Sequence, residues 1–208
     1  MQTILIANPK GGSGKSTLAT NLAGYFAWQG ERVMLGDIDR QQTARHWLGL
    51  RPETHPAIAG WELKDREPAR PPKGTTVAVL DSPAGLHGRK LDQALKVVRR
   101  VLVPVRAGFF DMWASEDFFA QLAEEKAVRK GEVQIGVVGM CINPRTRSAQ
   151  ELADFLARFE LPVLGHLRET QLYIQLQPKG LTLFDLPRPR FARDYAEWQP
   201  IVDWLNKN

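Results

Sequence analysis

Residues 3–20 read TILIANPKGGSGKSTLAT. An apolar run, residues 4–7, enters a loop with three glycines, and the loop opens a helix-period segment at Lys15. Glycines 11, 12 and 14 lack side chains, so the backbone can curl and turn its N–H groups inward. A helix starting at Lys15 adds the positive end of its dipole. Lys15 is then placed to reach β- and γ-phosphate oxygens, and the Ser16 hydroxyl to coordinate Mg²⁺. Strand, loop and helix in this order predict a phosphate-binding loop made of Gly11, Gly12, Ser13, Gly14, Lys15, Ser16 and Thr17. The general pattern G-x-x-x-x-G-K-[ST] asks for glycine where this chain has Pro9, and a second lysine, Lys10, stands at the start of the loop.

Outward from the loop, short apolar runs alternate with helix-period segments. Strands are predicted over 3–7, 32–35, 76–80, 101–105, 133–142 and 162–167, and helices over 15–29, 41–48, 89–99, 115–129 and 148–159. Several runs are apolar at consecutive positions, as strands buried on both faces are. The alternation predicts an α/β fold, a doubly wound and mostly parallel sheet flanked by helices, in one domain over residues 1–208. Residues 49–74 are rich in proline and charge and are expected to form a surface connection holding a short helix or an edge strand. Such sheets bind ligands beyond the carboxyl ends of their strands.

Two acidic motifs fall at predicted strand ends. Residues 36–42 read GDIDRQQ, and the spacing of Asp37 and Asp39 puts both on one side of an extended segment. Residues 76–85 read TVAVLDSPAG, an apolar run ending in Asp81. This is a Walker B pattern, in which a carboxylate at the end of a buried strand holds Mg²⁺ through water.

Composition narrows the function. Cys141 is the only cysteine, which excludes an intrachain disulfide and a cluster held by several thiolates of one chain. No apolar run approaches the ~20 residues of a membrane span, and the start does not read as a signal peptide, so a cytoplasmic location is expected. The net charge of +5 permits nucleic-acid binding without demanding it.

The form K-G-G-x-G-K-[ST]-T resembles the deviant Walker A loop of the ParA/MinD family of ATPases, and the resemblance extends from residue 1 to about residue 184. It implies a P-loop NTPase fold, ATP and Mg²⁺ as cofactors, and an ATP-sandwich homodimer in which Lys10 touches the phosphates held by the partner subunit. Pro9 is then no defect. GDIDRQQ is similar to the family's D-x-D-P-Q switch, with Arg40 where proline is usual. By that resemblance Asp39 positions the attacking water and Asp37 helps to hold the magnesium shell. The catalytic set is then Lys10, Lys15 and Asp39, and the metal set Ser16, Asp37 and Asp81. The segment after Asp81, SPAG, resembles the switch that senses the γ-phosphate.

Asn143 ends the run GVVGMCIN and matches a family asparagine that hydrogen-bonds adenine; it equally suits a turn with Pro144. Asp111 matches a family acid that caps a helix or lines the dimer interface. The segment around residues 168–171 resembles one that packs near the base.

The chain looks most like the short ParA branch used in plasmid partition. That implies non-specific DNA binding by the ATP dimer, association with the nucleoid, a ParB-like or adaptor partner, and slow hydrolysis stimulated by that partner. Candidate DNA contacts are Arg145, Arg147, Lys179, Arg188, Arg190 and Arg193. One alternative is ParA-like positioning of a protein cargo. Another is a MinD-like membrane ATPase. Tyr195, Trp198, Val202 and Leu205 share one helical face near the C-terminus. The opposite face carries Asp194, Glu197 and Asp203, where a membrane-surface helix wants lysine and arginine, so core packing is expected there. A single cysteine argues against the iron–sulfur branches.

Overall fold

The computed structural model describes residues 1–61 and 69–207. Seven strands form one sheet: β1 (Gln2–Ile6), β2 (Val33–Asp37), β3 (Ile58–Trp61), β4 (Val77–Asp81), β5 (Arg100–Arg106), β6 (Gln134–Met140) and β7 (Val163–Leu167). Their order is β3-β2-β4-β1-β5-β6-β7, and every pairing is parallel. The expected mostly parallel sheet is therefore parallel throughout.

β1 lies near the centre and shows why its sequence is apolar without alternation. Ile4 and Ile6 enter one core while Leu5 and Ala7 enter the other. Val77 and Val79 of β4 face the first core, and Ala78 and Leu80 the second. Covering both faces leaves no solvent side to these strands.

The helices divide between the faces. On one side lie α1 (Lys15–Trp28), α2 (Thr43–Leu50), α7 (Gln171–Leu176) and α8 (Ala192–Asn206), which contribute Leu18, Leu22, Trp47, Tyr173 and Trp198 to the first core. On the other lie α3 (Gly88–Val97), α4 (Phe109–Glu124) and α6 (Arg147–Leu156), with Leu91, Phe118, Leu122 and Leu152 in the second core. A short α5 (Lys126–Arg129) follows α4. Each fully buried leucine of this kind stabilises the fold by about 1.5–3 kcal/mol.

One sequence expectation changes, and two others take definite form. The helix expected over 115–129 begins six residues earlier, at Phe109, and breaks at Glu125, whose ψ of 131° is extended. Exposed Phe109 and Phe110 hid that first turn, because they match no buried helical face. The segment 49–74 contains an edge strand, β3, while its residues 62–68 lie outside the described residues. The C-terminal segment buries its apolar face: Trp198, Ile201, Val202 and Leu205 are each at most 2% exposed, and α8 packs on β7. Among the described residues no helix is long and apolar enough to cross a membrane.

The two ends of the described chain meet behind the sheet. The Gln2 side-chain amide donates to the Leu205 carbonyl, and the Arg100 guanidinium donates to the carbonyls of Leu205 and Lys207.

Candidate functional site: a phosphate loop at the carboxyl edge of the sheet

The loop between β1 and α1 is braced from outside by β5 and α4. The Asn8 side chain accepts from the Lys10 N–H at 2.8 Å and donates to the Pro104 carbonyl at 2.8 Å and to Ser115 Oγ at 3.3 Å. Pro9 offers its carbonyl to the Gly85 N–H at 2.8 Å, so the loop is tied to the SPAG segment after β4. Arg106, the last residue of β5, approaches the Gly12 carbonyl at 3.5 Å.

Gly14 is held to glycine by its backbone, and a neighbouring side chain adds crowding. Its φ is +98°, a left-handed conformation that side chains resist, and a Cβ there would stand 2.6 Å from Met140 Cε. Gly14 immediately precedes α1, whose first turn carries Lys15, Ser16 and Thr17.

The two loop lysines point differently. Lys15 is 8% exposed and turns back into its own loop, donating to the Lys10 carbonyl at 2.9 Å and lying 3.5 Å from Ser13 Oγ. Burial lowers the pKa of its ammonium, and the charges of Asp81 and Asp39 work against that shift. Lys10 turns outward. Its Nζ lies 2.9 Å from Asp111 Oδ2 in the first turn of α4 and 5.9 Å from the Phe110 ring centroid. Asp111 makes no side-chain cap; it serves as the partner of Lys10.

Asp37 and Asp81 are paired in register at the ends of β2 and β4. Asp81 Oδ2 accepts from Ser16 Oγ at 2.6 Å, while Asp81 Oδ1 is buried with no hydrogen-bond partner. Burial pushes the Asp81 carboxyl up to about 7; the Ser16 bond pulls it down, and the nearby charge of Asp37 adds to the rise. An unpartnered buried carboxylate oxygen beside a serine hydroxyl is an oxygen donor set that suits a hard cation. No group of three or more His, Cys, Asp or Glu arranged for a metal occurs among the described residues.

Asp37 bonds the backbone in a way that the sequence did not show. Its Oδ1 accepts from the Asp39 N–H at 2.9 Å, and its Oδ2 from the N–H groups of Ala44 and Arg45 at 2.9 and 3.4 Å. It therefore holds the start of α2, whose N-cap residue, Gln42, makes no side-chain cap. Burial raises the Asp37 pKa, against these backbone bonds. Asp39 lies in the turn between β2 and α2, half-buried, and accepts from the Gln41 N–H at 3.0 Å.

Asn143 is exposed and closes a turn. Its Oδ1 accepts from the Arg145 N–H at 3.2 Å and its carbonyl from the Thr146 N–H at 3.1 Å. The structure thus shows the turn of the two sequence readings. The segment 168–171 places Arg168 against Asp194 at 2.6 Å, tying it to α8. Sequence reasoning missed Asn8 and Gln177. A lone Asn before a glycine loop carries no pattern, and Gln177 meets the loop across 160 residues of chain.

Sheet, loop and paired carboxylates define a phosphate-loop nucleotide-binding protein of the parallel α/β class. The chain belongs to the CobQ/CobB/MinD/ParA nucleotide-binding domain family, whose profile matches residues 4–183. It is 28% identical to the chromosome-partitioning ATPase Soj of Thermus thermophilus, over 96% of this chain and 89% of that one. It is 30% identical to the maintenance of carboxysome distribution protein A of Gloeobacter kilaueensis, over 100% of this chain and 87% of that one. Its fold superimposes on MinD in the MinC:MinD cell division complex of Aquifex aeolicus with a TM-score of 0.75 at 15% identity, covering 100% of this chain and 97% of that one. A putative plasmid partition protein of Borrelia burgdorferi bound to AMPPNP gives 0.72 at 17% identity, covering 97% and 98%. The chain is an ATPase of the ParA/MinD kind, within the group of positioning and partition ATPases.

Proposed function

We propose that this chain is a partition ATPase that dimerises on ATP, binds DNA without sequence preference, and positions a plasmid or chromosome through hydrolysis stimulated by a partner protein. The observation that carries the reading is the divergence of the two loop lysines. Lys15 is folded into its own loop, whereas Lys10 stands at the rim, turned away from it. A rim lysine serves a phosphate best when a second copy brings that phosphate to it. Beside it, Phe109 and Phe110 are 72% and 66% exposed, an apolar surface that a second copy would cover.

In this reading Lys15 and the N–H groups of residues 11–17 bind the phosphates, and Asp39 orients the attacking water. Ser16 and, through water, Asp81 would hold Mg²⁺, with Asp37 helping to hold its shell, and the ion would supply charge neutralisation at the phosphates. Asn143 is offered to the base. Arg145, Lys179, Arg188 and Arg190 are exposed and enter no ion pair among the described residues, which leaves them available to DNA phosphates. Arg147 and Arg193 pair with Glu151 and Glu197 and are secondary candidates. A protein cargo is the second reading, favoured by the likeness to the carboxysome distribution protein.

The test is sedimentation with ADP and with ATP, alongside DNA binding. We expect a monomer with ADP, a DNA-bound dimer with ATP, and an ATP-bound monomer from Lys10→Ala. A wild-type chain that stays monomeric with bound ATP overturns the reading.

A further inference from the structure

Thr17 sits in the first turn of α1, directly after the Ser16 hydroxyl, and its own hydroxyl is engaged from one side only. Gln177 Nε2 donates to Thr17 Oγ1 at 3.0 Å. Among the described residues, no hydrogen bond takes up the Thr17 hydroxyl proton. The neighbouring Thr20 hydroxyl, by contrast, donates to the Ser16 carbonyl at 2.8 Å. A hydroxyl whose oxygen already accepts must direct its proton elsewhere. At the N-terminus of a helix opening from a phosphate loop, the acceptor on offer is an anion.

Gln177 is presented on a firm platform. It follows α7, which is capped by Thr170 and pinned to α8 by the Trp198 indole donating to the Tyr173 hydroxyl at 2.8 Å. Three residues on, the Gly180 carbonyl accepts from Arg51 at 3.2 Å, and a Cβ at Gly180 would meet the backbone of Leu50 and Arg51 at 2.4 Å. The Gln177 side chain is exposed, so it contributes little to the core. Its single polar contact among the described residues is the Thr17 hydroxyl.

We propose that Gln177 is a positioning residue for nucleotide binding: by donating to Thr17 Oγ1, it fixes the Thr17 hydroxyl as a donor to a phosphate oxygen of the bound nucleotide. This rests on the nucleotide-binding reading of the loop and deepens it. The chemistry predicts an order among substitutions. Alanine at 177 releases the Thr17 hydroxyl to rotate. Glutamate at 177 can only accept, so it captures the Thr17 proton and sets a negative charge beside the phosphates.

The experiment is titration with a fluorescent ADP analogue and competition by ADP, on wild type, Gln177→Ala, Gln177→Glu, Thr17→Val and the Thr17→Val/Gln177→Ala double variant, with the thermal midpoint of each. We expect Gln177→Ala to weaken ADP binding about threefold, Gln177→Glu about tenfold or more, and Thr17→Val about tenfold, the loss of one hydrogen bond to a charged group. The double variant should bind no more weakly than Thr17→Val, because Gln177 acts through that hydroxyl. The midpoints of both Gln177 variants should match wild type, which a merely structural role would not allow. Wild-type binding by Gln177→Ala or Gln177→Glu, or losses that multiply in the double variant, overturns this inference while leaving the nucleotide site standing. A wild-type chain that binds no ADP analogue overturns the site reading and this inference with it.

Discussion

Lys10 and Asp111 are 101 residues apart in sequence, and their charged atoms lie 2.9 Å apart. The contact ties the rim of the phosphate loop to the first turn of α4. It also holds the lysine away from the place that the proposed dimer assigns to it. An ATP dimer would have to break this pair before Lys10 reached across.

The pair is partly open to solvent, 37% for the lysine side chain and 19% for the carboxylate. Exposed pairs of this kind contribute about 0.2–1 kcal/mol, so releasing Lys10 costs at most about a fivefold factor. Two such pairs break per dimer, so Asp111→Asn is expected to lower the dimer dissociation constant by up to about 25-fold. Sedimentation equilibrium with ATP measures this, and a weaker dimer would show that Asp111 supports Lys10 in the assembled state.

Asp81 predicts a pH dependence. Its folded-state value of about 7 lies above the ordinary 3.8, so the folded protein holds a proton that the unfolded chain releases. Stability from this group is complete below the unfolded value and is lost as pH rises through about 7. Thermal midpoints of the nucleotide-free protein should fall between pH 5 and 8. Asp81→Asn should flatten that slope and raise the midpoint at pH 8. Because a proton and a cation compete for the same oxygens, apparent Mg²⁺ affinity should weaken about tenfold per unit below the carboxyl's pKa. A flat midpoint curve for wild type would contradict the burial argument.

Gly14→Ala combines a left-handed backbone with contact against Met140. The Met140 terminus can swing aside, whereas the φ of +98° cannot relax without moving the loop. We expect a destabilisation of about 1–3 kcal/mol and loss of nucleotide binding. Chemical denaturation measures the first and ADP titration the second.

Arg51 and Asp185 form a buried pair at 3.0 Å, with side chains 5% and 0% exposed. Burial alone would raise the Asp185 pKa, but Arg51, the Trp28 indole and Thr182 bond its carboxylate and bring it below the ordinary value. Arg51→Met leaves that carboxylate buried without its cation and should destabilise the fold by about 3–5 kcal/mol, read by urea denaturation. Asp185 is the depressed case, so its contribution is present above the ordinary carboxylate range and is lost as the solution is acidified.

Much of the site was legible because its residues are local in sequence. A glycine loop between a strand and a helix declares itself within a dozen residues, and Asp37 and Asp81 each close an apolar run. What was not legible depends on long-range placement. Nothing near Asp111 announces Lys10 as its partner, and nothing near Gln177 points to Thr17. The start of α4 was missed because Phe109, Phe110 and Trp113 are exposed, so periodicity found no buried stripe there. Asp37 looked like a site carboxylate alone, since its backbone partners at 44 and 45 appear only when the turn after Asp39 folds back. Among the prolines of residues 49–74 the sequence left a short helix and an edge strand both open, because only four residues of β3 pair, along one edge of β2.

Gln2, Arg100, Leu205 and Lys207 gather at the amino edge of the sheet, the pole opposite the phosphate loop. Attachments there need not disturb the nucleotide. A fluorescent reporter carried at this pole on a flexible spacer would ride at the amino edge of the sheet, clear of Lys10, Phe109 and Phe110. The molecule can thus be followed inside a living cell without covering the surface that a second copy is proposed to use.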